Sequence, residues 1–137
     1  MSRLFAATIV IVVALSSPAS ATLVRCKADE ASTPLNTGSL SDLSPWTKDE
    51  LTTGIEFSFD STSGLLRTHR QGAGQSQPMR FEVIQAGTQQ NDLVAVSRRP
   101  CMAACPVDLF RVRVWRSPMT FVFVDSSGSV YTGRCHN

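Results

Sequence analysis

Residues 98–108 read RRPCMAACPVD, and the two cysteines within them are the side chains here best suited to chemistry by type and spacing. Cys101 and Cys105 have three residues between them, are fenced by Pro100 and Pro106, and are preceded by Arg98 and Arg99. Paired thiols can cycle to a disulfide or ligate a soft metal ion, and neighbouring guanidiniums favour the reactive thiolate. A dithiol oxidoreductase sets its cysteines at the start of a helix, whereas Pro106 directly after Cys105 obstructs one. The other reading of the pair is a structural staple.

A second set lies just beyond. Arg111 and Arg113 share one face of a strand by parity, Trp115 continues that face, and Arg116 follows it. With Arg98 and Arg99 nearby in sequence, this is a face for an anionic ligand: guanidiniums hold carboxylate, sulfate or phosphate, and an indole stacks on a ring or a cation. The plainer reading is the polar side of an amphipathic strand, with the arginines paired across to Glu82 or Asp108. Other catalytic constellations are weak. A Ser-His-Asp arrangement needs an ordered histidine; His69 ends a strand beside a Gly-rich loop, and His136 lies in a terminal stretch expected to fray. Glu56 and Asp60 share a strand face, but it reads as solvent-facing and their spacing is not that of a glycosidase pair. No zinc or calcium spacing occurs, so the expectation is a non-enzymatic chain with no catalytic residues, metal or cofactor.

The run CMAACP (Cys101–Pro106) resembles the Cys-x-x-x-Cys-Pro motif of the Sco-type copper-delivery proteins. The resemblance covers six residues and implies Cu(I) on the two thiolates, with Met102 and Met119 as added thioethers. It also implies a thioredoxin-like α/β fold and a histidine ligand well downstream. This chain lacks helix–strand alternation, and its one histidine downstream of the motif is His136. Thiol-redox or copper handling through Cys101 and Cys105 is therefore the alternative function.

The compartment follows from the first residues. Arg3, the apolar run Leu4–Leu15 and the small-x-small ending Ala19-Ser20-Ala21 are the three parts of a secretory signal peptide, residues 1–21. The apolar run is too short for a bilayer, which takes about 20 residues. Residues 22–137 are then one exported, non-spanning domain, secreted or periplasmic, in which thiols oxidise and four cysteines suggest disulfides. Its charge is almost balanced but uneven: residues 22–60 are acidic, while residues 61–137 carry nine arginines against four acids.

The elements that must position these residues are strands. Apolar and polar residues alternate almost throughout, as in GIEFSFD, LLRTH, MRFEVIQ, LVAVS and LFRVRVW, while MTFVFVD is apolar on both faces and reads as central. With Thr22–Ala28 first and SVYTGRC last, the expectation is an all-β antiparallel meander of about eight strands. It closes or nearly closes into a small barrel, with a two-sheet sandwich as the alternative. Residues 29–53 read as a long polar connection that can hold one short helix near Ser44–Leu51. FSFDSTSG and FVFVDSSG echo one another, as two hairpins with the same turn chemistry. In a closed meander the first and last strands are neighbours, which brings Cys26 to Cys135 and leaves Cys101 to Cys105. The function expected is a binding or inhibitor-like module of the envelope or extracellular space. Its partner is an unspecified protein, glycan or small ligand and not nucleic acid, and no oligomeric state is implied.

Overall fold

The computed structural model describes residues 23–34, 40–41, 51, 54–72, 74–98 and 107–137. The alternation is realised as eleven strands: β1 (Leu23–Pro34), β2 (Leu40–Ser41), β3 (Ile55–Asp60), β4 (Leu65–Arg70), β5 (Gly74–Gln75), β6 (Met79–Arg80), β7 (Glu82–Gln85), β8 (Leu93–Arg98), β9 (Val107–Arg113), β10 (Met119–Val124) and β11 (Val130–His136). Eight of these exceed two residues, the number expected. Nine of the eleven form one antiparallel sheet in the order β5-β4-β3-β1-β11-β10-β9-β8-β7, curled into a nearly closed barrel, while β2 pairs with β1 and β6 with β4. The seam is crossed by a single stretch of chain. Met79 and Arg80 pair with β4, Glu82–Gln85 pair with β8, and between them the Phe81 amide donates to the Gly64 carbonyl at 2.7 Å.

Closure makes β1 and β11 neighbours, as expected, with Cys26 opposite Cys135. The two are joined by a disulfide across 109 positions, their Cα atoms 4.0 Å apart. The first strand is longer than its sequence suggests. A β-bulge between Ala28 and Glu30 carries β1 past Ala28 to Pro34, so the connection to β3 begins later than residue 29. The bulge inserts one residue and shifts parity, which places both Asp29 and Glu30 on the outer face. Gly133 fits against it: a Cβ there would lie 2.0 Å from the Lys27 carbonyl oxygen, so only glycine admits so close an approach. Of the short helix expected at Ser44–Leu51, Leu51 alone is described; it is half-buried and packs against the core.

Inward positions alternate as the pattern requires: Val24, Cys26 and Ala28 on β1, Ile55, Phe57 and Phe59 on β3, Phe110 and Val112 on β9, Phe121 and Phe123 on β10. Aromatic rings meet across the interior. Phe57 lies 5.5 Å from Phe121 and 5.2 Å from Phe123, and Phe59 lies 5.3 Å from Phe110, centroid to centroid. Phe81 closes on Phe59 from the seam, and Tyr131 stacks on Phe123. Interlocked rings bury large areas and favour such tilted contacts.

The echoed turns share their chemistry. Asp60 accepts from the Thr62 and Ser63 amides, and Asp125 accepts from those of Ser127 and Ser129. Gly64 and Gly128 supply the left-handed residue, with φ of 67° and 87°.

Candidate functional site

The outer wall over β9, β10, β11 and β1 carries the arginines. Arg113, Thr120, Arg134 and Lys27 stand opposite one another in a single row across these four strands. Arg111, Val122, Thr132 and Glu30 make the next row. Thr120 and Val122 of β10 and Thr132 of β11 are short, whereas β9 presents long arginines, Arg134 rises from β11 beside them, and β1 presents the bulge. The difference in length leaves a groove of about 380 Å³ floored by Thr120, Val122 and Thr132. Three guanidiniums, from Arg111, Arg113 and Arg134, line it together with the carboxylates of Asp29 and Glu30. Its width from β9 to β1 is three strand spacings, roughly 14 Å.

Two of the guanidiniums are held in place by carboxylates. Arg134 grips Asp29 with both prongs of its fork, Nε to Oδ2 at 2.9 Å and Nη2 to Oδ1 at 3.3 Å. That contact, against the opposing effect of burial and with help from the charges of Arg134 and Lys27, holds the Asp29 carboxyl below its ordinary range. Arg111 donates through Nε to Asp92 Oδ2 at 2.5 Å, and the Trp115 indole donates to Asp92 Oδ1 at 2.6 Å. Arg113 has no hydrogen bond or ion pair among the described residues, and its guanidinium is exposed.

Asp92 is where the expected pairing is corrected. Neither Glu82 nor Asp108 meets Arg111. Asp108 shares parity with Phe110 and Val112, so it points inward, is fully buried, and accepts from the Ser126 amide at 2.7 Å. Glu82 stands opposite Val96, while Arg111 stands opposite Val94, one row away. Asp92 instead reaches Arg111 from the β7–β8 connection, which is locally well built. Thr88 Oγ1 accepts from the amides of Gln90 and Asn91, and the Gln85 side chain donates to the Asp92 carbonyl. Burial pushes the Asp92 carboxyl up, but the hydrogen bonds from Trp115 and Arg111, with the charges of Arg111 and Arg113, outweigh it and hold the group below its ordinary range.

A carboxyl depressed in the folded state stabilises the fold above its unfolded pKa and ceases to do so as pH falls through the folded value. Asp92→Asn is therefore expected to cost about 1–2 kcal/mol at neutral pH, a charge-assisted contact discounted for half-exposed Arg111. As pH falls below the ordinary carboxylate range and through the depressed folded value, the gap between variant and parent should close. Thermal melts across pH check this; a gap that widens on acidification would contradict the assignment.

Of the residues picked out in the sequence, Arg111, Arg113, Trp115 and Arg116 come together. Trp115 lies beyond the end of β9, 47 % exposed, with the Arg116 guanidinium over its ring at 5.2 Å. Arg98 does not join them. It pairs with Val107 at the other end of β9, four residues from Val94 and so roughly 13 Å along the wall. Arg99, Cys101 and Cys105 lie outside the described residues. Glu56 and His69 face each other on the outer surface, and Asp60 is committed to its turn. Asp92, Asp29, Glu30, Thr120, Thr132 and Arg134 were not singled out. For Arg134 a signal existed, since alternation with inward Cys135 forces it outward; for the bulged pair Asp29–Glu30 there was none. No group of three or more metal-ligating side chains converges among the described residues.

No known protein family, characterised protein or solved structure matches this chain, so its chemistry is read from its own residues.

Proposed function

We propose that this protein is an exported, non-catalytic binding module of the envelope or extracellular space that holds an anionic group of its partner on the outer wall of the barrel. The observation that carries the reading is Arg113, an exposed residue without an ion pair among the described residues, set in one row with Thr120 and Arg134 above a groove. Arg113 stands beside the Thr120 hydroxyl, and Arg134, already forked onto Asp29, stands one strand further on, so an anionic carboxylate, sulfate or phosphate would draw its charge-assisted hydrogen bonds first from Arg113. The packed aromatic interior argues for this outer site over carriage of a ligand inside the barrel. Export rests on the pattern of residues 1–21, and a disulfide between the first and last strands of the sheet suits an oxidising compartment.

Retention on immobilised dextran sulfate tests the site. The expected result is that Arg113→Gln with Arg134→Gln elutes at clearly lower salt than Arg67→Gln with Arg80→Gln, which removes the same charge from elsewhere on the wall. Equal elution of the two double variants would reduce the groove to general surface charge and overturn the reading.

A further inference from the structure

We infer that the partner is a linear acidic glycan, a chain of sugars bearing carboxylate or sulfate groups, lying across the strands from Trp115 towards Lys27. The inference rests on the anion-binding reading above and adds the class of ligand. Three features of the same wall support it.

The first is order. Across the wall the groups follow one another as an indole platform on the β8 side, then Arg113, the Thr120 hydroxyl, Arg134 and Lys27. From β9 to β1 the row covers three strand spacings, roughly 14 Å, which suits an extended ligand better than a single small anion. The second is the platform itself. Trp115 is about half exposed, yet its indole N–H is fixed by Asp92, whose own position is set by the β7–β8 connection. The Arg116 guanidinium lies over this ring at 5.2 Å, so a pyranose ring packs on the indole where that side chain swings aside, its C–H groups against the aromatic face and its hydroxyls at the rim.

The third feature decides between classes of polyanion. Asp29 and Glu30 line the groove beside the guanidiniums, and ionised carboxylates only accept hydrogen bonds. Sugar hydroxyls, present on every residue of a glycan, donate to such acceptors, whereas a DNA backbone has no donor of its own and offers donors only through its bases. Single-stranded nucleic acid also draws on successive aromatic platforms, and the groove floor is Thr120, Val122 and Thr132. A membrane surface rewards several protruding apolar side chains, and Trp115 is the one large exposed apolar residue beside the groove among the described residues. A ligand with both anionic groups and hydroxyl donors matches the mixture of charges that is present.

Calorimetric titration of the folded protein with oligogalacturonates of two to six residues tests this, with the methyl-esterified oligomer, a single-stranded oligonucleotide and anionic phospholipid vesicles as comparisons. Affinity is expected to rise with oligomer length and to vanish for the neutral ester. Each of Arg113→Gln and Arg134→Gln should weaken it about tenfold, the value of one charge-assisted hydrogen bond. Trp115→Ala should lower the affinity for the oligogalacturonates at every length. In a Trp46→Phe background, fluorescence of Trp115 should change on binding, and circular dichroism confirms that each variant is folded. Equal or tighter binding of the oligonucleotide or the vesicles would overturn the glycan assignment while the anion-binding reading stands. Failure of every probe, with dextran sulfate retention indifferent to Arg113 and Arg134, would overturn both.

Discussion

Replacing Cys26 and Cys135 together by alanine is expected to remove about 4–5 kcal/mol of stability, the loop-closure entropy of a cross-link of this span. The bridge joins positions 109 apart, so it restricts the unfolded chain far more than a local loop would. Alanine is the replacement to use, since both positions are buried and serine would add two hydroxyls to the core. For a domain of this size the loss corresponds to a fall in melting temperature on the order of 15–30 °C. Because single domains hold only about 5–15 kcal/mol in total, the variant should be marginal or unfolded at 37 °C. Reductant should shift the parent towards the variant. Amide exchange should show protection lost first along β1 and β11, which are held to each other at that pair. A melting temperature within a few degrees of the parent would mean that the strand pairing alone fixes the closure.

The second large effect lies at Phe59. Its side chain is fully buried, 5.3 Å from Phe110 and 6.2 Å from Phe81, so it links β3 both to the facing wall and to the seam. Phe59→Ala is expected to cost about 3–5 kcal/mol, through lost transfer energy and a cavity that the surrounding rings cannot collapse to fill. Phe59→Leu, which keeps most of the volume, should cost less than about 1.5 kcal/mol. The cavity would be walled by aromatic carbon, so benzene should bind the alanine variant and raise its melting temperature, with no effect on the parent. A small cost for alanine together with indifference to benzene would show that the interior relaxes instead of retaining its packed form. Each unfolding curve in urea should keep the same slope, marking a change of stability and not of the unfolded ensemble.

Much of the barrel was legible because strand alternation has a period of two and depends on each segment by itself. GIEFSFD gives Ile55, Phe57 and Phe59 to the core without reference to any partner, and the Asp-Gly turns after β3 and β10 carry their own hydrogen bonds. The meeting of Cys26 with Cys135 followed from closure, a statement about topology that holds whatever the exact register. What escaped was set by register. Asp92 reaches Trp115 and Arg111 from 23 and 19 residues away, because the β7–β8 connection folds beside the end of β9. The bulge at Asp29 inserts one residue on account of the close approach of Gly133, and nothing local in KADEAS announces it. The pairing of Arg111 with Asp108 failed on a rule the sequence did contain, since 108 and 111 differ in parity and point to opposite faces. The arginine face was thus recognisable as a face, while the groove in it depended on which neighbours were short.

The adjacency of β1 and β11 also sets an order of events in time. A hairpin such as β3–β4 can form within roughly 1–10 μs of its residues becoming available. The inner partner of β1 is thus at hand soon after Asp60 has been made. Its other partner lies 109 positions downstream of Cys26, and at the usual pace of synthesis those residues take roughly 5–20 s to appear. Throughout that interval one edge of β1 has unpaired amides and carbonyls, and the Cys26 thiol has no Cys135 to meet. Two ways of closing prematurely are open to such an intermediate: pairing that edge with another copy, and oxidising Cys26 with whichever cysteine emerges first. Cys101 and Cys105 both precede Cys135, so the native partner is the last of the three possible partners of Cys26 to become available.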